Sequence, residues 1–323
     1  MKKLLTLLAL TITLCSNAQI SAGGTNNSGA YSSAIGYQTT ASESYCTAMG
    51  YATTASGSTS TAMGVSTTAS GDGSTTMGNQ TTASGNNSTA MGANTIASGA
   101  NSTAMGVATI ASGSASYALG LSTTASGVNS TSMGFATIAS GNRSTSMGVA
   151  TIASDYASVV IGQYNSSGSS TTSSSSFSTS APAFVVGNGT NSSNKSDAFK
   201  VMFNGDATIS NNLTIIGDLE VQSDERLKSN IISLGSTLSK LLLIDGKSYE
   251  QKGKQKIGVL AQEIKEVFPE LVSENENEIL AVNYQGLIPI LINALKEQQS
   301  EIESYRNELI ELKEMVEELA LRD

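Results

Sequence analysis

The sequence predicts a mainly β chain: a solenoid of 14-residue coils, then a β neck, then an α+β domain ending in a coiled coil. Three observations predict it. Glycine recurs every 14 residues from Gly36 to Gly162 without a slip. Of the 43 Asp, Glu, Lys and Arg residues, 31 lie at or beyond Asp224, so the chemistry changes near VQSDERLKSNI, residues 221–231. Apolar residues keep heptad spacing through residues 288–323.

The chain opens with MKKLLTLLALTITLCSNAQ, two lysines before an apolar run that ends at small residues. This predicts a secretory signal peptide over residues 1–18, cut after Ala18. The run is too short to span a bilayer comfortably, and no later stretch in the sequence is a candidate span. A secreted or cell-surface protein without a membrane-spanning anchor is expected. Once the peptide is removed Cys46 is the single cysteine, so no disulfide forms within a chain. With no His, zinc and haem have few ligands to draw on, and no cofactor or metal is expected. The net charge of −9 lies mostly in the C-terminal part and no basic patch is visible, which argues against nucleic acid.

Residues 28–165 are the repeats, with a unit close to NSTAMGVATIASG. A second glycine series, Gly57 to Gly141, falls halfway between the first. Each half-repeat holds a few strand-capable residues and then Gly, which predicts two short strands and two tight turns per coil. Ten coils at one strand spacing each make a rod about 50 Å long. A column of Met49, Met63, Met77, Met91, Met105, Met133 and Met147 is expected to face inward with Ala and Ser. One coil then encloses little apolar volume, and side-by-side packing of several chains is the expected remedy. Paired threonines also recur in register, at Thr39/Thr40, Thr53/Thr54, Thr67/Thr68, Thr81/Thr82 and Thr123/Thr124. They leave open a Thr-rich rod that faces ice or a mineral surface. Asp is nearly absent from the repeats, which excludes calcium-binding repeats.

These repeats resemble the head of trimeric autotransporter adhesins of the YadA type. The resemblance implies a left-handed parallel β-roll, three rolls to a trimer. The repeats depart from that family in using Met where Ile or Val is common. The family's C-terminal β-barrel anchor is not matched, so self-transport through an outer membrane is not supported.

Residues 166–181 are Ser-rich and predict a loose linker. Residues 182–222 return to short apolar runs split by NG and GD turns, which predicts the β neck. The C-terminal part runs SDERLKSNI, GVLAQEIKEVFPELV, then AVNYQGLIPILINALKEQ. IGVLAQEIKEVFPELV reads as a strand entering an amphipathic helix stopped by Pro269, with Ile264, Val267 and Phe268 on one side. In the coiled coil Ile288, Leu295, Ile302, Leu309 and Val316 fall at a, and Leu291, Gln298, Tyr305, Leu312 and Leu319 at d.

The three blocks, in this order, resemble the C-terminal intramolecular chaperone of phage tail spikes and fibres, the endosialidase type, over about residues 222–300. The resemblance implies a domain of residues 223–290 that drives trimerisation and then cuts itself off. It makes Gln222–Ser223 the scissile bond, Ser223 the nucleophile and Lys228 the base. A Ser hydroxyl needs a group to take its proton, and a Lys amine does so when a desolvated site keeps it neutral. Read on the residues alone, Ser223 and Asp224 are a cap for a helix through ERLKSNI and Lys228 a solvated helix residue.

The expected protein is therefore a secreted or surface-exposed, adhesin-like homotrimeric fibre. Its enzymatic activity is a single-turnover serine endopeptidase that acts on its own chain. The alternatives are a phage-derived tail fibre and the Thr-rich rod. A host or extracellular surface is the expected partner.

Overall fold

The computed structural model describes residues 23–275 and 278–321; the signal-peptide expectation, residues 1–18, lies outside them. The chain divides into two units, which meet between Gly217 and Asp218.

The first unit is the solenoid. Each coil contributes one five-residue strand, such as Thr103–Val107, and one two-residue strand, such as Ile110–Ala111. The long strands stack in parallel from Ser33–Tyr37 to Val159–Gln163, and the short strands form a second parallel sheet of ten. Register advances by one repeat at every step, so Met91 lies beside Met105 and Gly92 beside Gly106. The fixed sequence period thus becomes a fixed ladder.

Glycine is favoured at both series in the central coils, for two reasons. Gly106 lies inside a strand at φ 127°, and a Cβ there would meet the Gly120 carbonyl oxygen at 1.9 Å. Gly113 needs no positive φ, but its Cβ would stand 2.0 Å from the Gly127 carbonyl oxygen. Left-handed turn positions fall instead on residues such as Asn101 and Ala108, with φ of 57° and 54°. Asn suits that conformation; Ala is held there by the ladder.

The interior differs from the expectation. Ser102, Ala104, Thr109 and Ala111 of one coil are fully buried, whereas Met105 keeps 39% of its surface exposed. Strand alternation sends Ala104 in and Met105 out, and the inward columns hold mostly Ala, Ser and Thr, with Cys46 and Val160 at the ends of the ladder. The methionine column therefore lines the outside. Ile96, Ile110 and Ile138 do likewise on the short-strand sheet. The threonine pairs are split by the same alternation. Thr39, Thr53, Thr67, Thr81 and Thr123 are buried, while Thr40, Thr54, Thr68, Thr82 and Thr124 look outward, with Ile at that position in other coils. A flat face of paired threonines is not formed.

The Ser-rich segment 166–181 also differs from the loose linker expected. It folds over the last coil and is held by side chains that break the repeat. Asp155, fully buried where the seven preceding coils have Gly, accepts from the backbone N–H of Thr172 at 2.6 Å and of Ser173 at 2.7 Å. Asn165 imitates a further short strand, accepting from Ile152 N and donating to Ile152 O at 2.8 and 2.9 Å. Asp197 takes the N–H groups of Ser166 and Ser167, both at 2.8 Å. Beyond it, Pro182–Asn188 joins the long-strand sheet in parallel, and Asp197–Met202 and Ala207–Ile209 extend it antiparallel. The first half of the expected neck is thus continuous with the solenoid sheet.

The second unit has a small core of Ile264, Phe268, Leu271 and Ile290. Its helices are α1 (Leu238–Leu241), α2 (Ala261–Val267) and α3 (Leu287–Ala320). Two antiparallel hairpins pair Lys247–Gln251 with Lys254–Gly258 and Val272–Glu274 with Leu280–Val282. The strand-then-helix expectation for IGVLAQEIKEVFPELV holds, with Ile264 and Phe268 buried. Helix α3 runs unbroken for 34 residues. Ile290 and Ala294 bury one side of its first turns, while Ile288, Leu295, Ile302, Leu309 and Val316 stay exposed along the heptad seam. No helix among the described residues is long and apolar enough to cross a membrane.

Candidate self-cleavage site

One tight turn builds the site. Glu225–Leu227 is a single 3-10 turn, not the longer helix that ERLKSNI permits. Asp224 caps it by accepting from Arg226 N at 2.8 Å. The Arg226 guanidinium forks onto the same carboxylate, Nε at 3.0 Å and Nη2 at 2.6 Å. That hydrogen-bonded fork holds the Asp224 carboxyl below, and the Arg226 guanidinium above, its ordinary pKa. Both ions are exposed, so the pair contributes geometry more than stability. The turn closes with Lys228 N–H on the Glu225 carbonyl at 3.0 Å.

This closure brings the two predicted residues together. Lys228 Nζ donates to Ser223 Oγ at 2.6 Å and to the Ser223 carbonyl oxygen at 2.9 Å. Five residues of extended chain would hold them far apart; the capped turn folds that distance away. Gln222, Ser223, Asp224, Arg226 and Leu227 line an open concavity of about 520 Å3. Ser223 and Lys228 are both exposed on this chain.

The sequence reasoning missed two contributors. The Asp224–Arg226 fork is legible in the i, i+2 spacing of SDER once a turn is considered. The other is Glu297 on α3, which anchors the segment following the turn. It accepts from Thr237 N at 2.6 Å, Ser236 Oγ at 2.8 Å and Leu238 N at 3.1 Å, and so caps α1 from 60 residues away. Among the described residues no cluster of His, Cys, Asp and Glu has the makings of a metal site.

Comparisons with known proteins agree with this division. A family described as chaperone of endosialidase matches residues 223–273, and so begins at Ser223. The YadA head domain repeat matches in seven stretches between residues 28 and 165, the middle five of them overlapping. Among curated proteins the chain is similar to the long tail fiber protein Gp37 of Escherichia phage AR1, 33% identical over 96 residues. That alignment covers 26% of this chain and 9% of the phage protein. The corresponding protein of Salmonella phage S16 is 29% identical over 112 residues, covering 31% of this chain and 15% of its own length. The matched region is thus a small fraction of each relative. The chain carries YadA-type head repeats and, starting at Ser223, a chaperone domain of the endosialidase type.

Proposed function

We propose that three copies of the chain assemble into an adhesin-like fibre displayed outside the cell, aligned by the C-terminal unit, which then cuts the Gln222–Ser223 bond. The observation that carries the cleavage is the 2.6 Å contact of Lys228 Nζ with Ser223 Oγ, set by a capped turn at the first residue of the chaperone match. Ser223 Oγ attacks the Gln222 carbonyl carbon. Lys228 takes the hydroxyl proton and returns it to the departing Ser223 nitrogen. The C–N bond breaks, an ester remains on Oγ, and water hydrolyses it to the Gln222 carboxylate. A Lys must be neutral to act as base, and burial between chains supplies the desolvation that favours neutrality. Cleavage then follows assembly rather than preceding it.

The trimer reading rests on apolar columns that one chain leaves uncovered. Met49, Met77, Met105, Met133 and Met147 each keep 37–41% of their surface exposed, and the α3 seam is exposed from Ile288 to Leu319. Columns of this kind are covered by neighbours in stable fibres. The similarity to Gp37 favours a second reading, a tail fibre of phage descent. It shares the same assembly and differs in where the fibre is mounted.

Intact and native mass spectrometry of the full chain tests the proposal. A fragment of residues 223–323 together with a trimeric remainder is expected. Ser223→Ala and Lys228→Ala each leave the chain whole. Normal processing in either variant refutes the dyad, and a monomeric remainder refutes the fibre.

A further inference from the structure

One turn column of the repeat carries a cation at a single place, beside the C-terminal end of the ladder. Along this column the coils carry Tyr31, Tyr45, Thr59, Gly73, Asn87, Asn101, Ala115 and Asn129, then Arg143. Arg143 is the first arginine in the sequence, and the next is Arg226. It occupies the left-handed region at φ 61°, where Asn87, Asn101 and Asn129 also sit. Asn adopts that conformation readily and a long side chain does not. The next coil breaks its own column too, with Tyr156 aligned on Asn142 and Asn86.

These two departures meet. The Arg143 guanidinium lies over the Tyr156 ring, 5.1 Å from its centroid, and Nη1 donates to the Tyr156 hydroxyl. The main chain at Tyr156 is held in turn by the folded-over serine segment, its N–H donating to the Ser173 carbonyl at 2.7 Å. Arg143 forms no ion pair among the described residues. Beside the pair is a cavity of about 200 Å3, lined by Val128, Asn129, Asn142, Arg143, Tyr156 and Ser175.

We infer that this cavity binds a carboxylate-bearing sugar residue of the hexuronic acid kind. A held guanidinium with unused N–H groups is the group that takes a carboxylate in two parallel bonds. Two amides and a serine hydroxyl offer mixed donors and acceptors, as sugar hydroxyls require. The volume is below the ~300 Å3 at which pockets begin to take larger ligands, which limits the occupant to about one ring. The reading is independent of trimerisation and of cleavage.

Saturation-transfer NMR on the full chain tests it, with glucuronic acid as the probe, glucose as the neutral sugar and acetate as the bare anion. Transfer to glucuronic acid is expected, with glucose and acetate at least tenfold weaker. Arg143→Asn installs the residue that neighbouring coils use at this turn, so it folds with an unchanged or raised melting temperature while the transfer falls at least tenfold. Arg143→Lys keeps the charge but not the fork, and loses several-fold. No transfer from the native chain overturns the inference. So does equal transfer in Arg143→Asn, or equal response to glucose or acetate.

Discussion

Asp155 holds the serine segment down, and replacing it tests whether that segment is a cap. Asp155→Gly restores the residue type found at Gly113, Gly127 and Gly141, so the coil itself remains well accommodated. What is lost is one buried carboxyl oxygen that takes two backbone N–H groups at 2.6 and 2.7 Å. Hydrogen bonds to such a group contribute about 1.5–2 kcal/mol each, giving about 3–4 kcal/mol for the pair. Each 1.4 kcal/mol or so is a factor of ten, so amide exchange at Thr172 and Ser173 should quicken by about 100- to 1,000-fold. Asp155→Asn keeps an acceptor oxygen in the same place and should quicken exchange by less than about tenfold. Amides of the central coils, such as Met105, serve as the unchanged reference. Hydrogen exchange read residue by residue decides the matter. Rates at Thr172 and Ser173 within about threefold of the native chain in the glycine variant would show that the carboxyl does not hold the segment.

Gly106→Ala meets both a left-handed φ of 127° and a carbonyl oxygen at 1.9 Å, so a loss of several kcal/mol is expected, read as a lower head melting temperature by circular dichroism. A melting point within a degree or so of the native value would contradict the close approach. Met105 and Met133 each leave about 70 Å2 uncovered, worth about 2 kcal/mol per residue when a neighbouring chain covers it. Substituting both by Ser should lower the β-sheet transition while leaving the helical one in place; equal melting would mean that the column faces solvent in the fibre. The backbone N–H of Thr237, with the Ser236 hydroxyl, holds the Glu297 carboxyl below the usual carboxylate range. A depressed folded pKa stabilises above the unfolded value and is lost as pH falls through the folded one. The second unit should therefore weaken on acidification, and Glu297→Gln should flatten that dependence; an identical pH profile in the variant would exclude the contact as its source.

The period was legible because every coil repeats it, and register follows directly from period in a stacked ladder. Which side of the strand faces inward was not. Alternation in TAMGV defines two faces, Ala104 on one and Met105 on the other, and hydrophobicity favours burying the larger. The interior between the two sheets is filled mostly by Ala, Ser and Thr, with Val160 the largest side chain in the Ala104 column, and the methionines lie outside it. The Ser-rich segment misled for a different reason. Its own composition is that of a linker, and the groups that order it are single residues elsewhere: Asp155, Asn165 and Asp197. The Ser223–Lys228 pair came from the resemblance to the endosialidase-type chaperone, while the residues alone suggested a helix cap and did not reveal the Asp–Arg fork that folds the turn. Glu297 was not readable, since its partners lie 59 to 61 residues away and no local pattern marks it.

The uniform register has an evolutionary corollary. Central coils meet their neighbours in the same backbone register, so an in-frame duplication or deletion of one 14-residue block replaces each interface with one of the same register. Reach then changes in steps of about 4.8 Å, while the folded-over terminus and everything after it are carried along intact. Such a gene is a length-adjustable spacer, free to grow or shorten by recombination between its own near-copies without relearning how to fold.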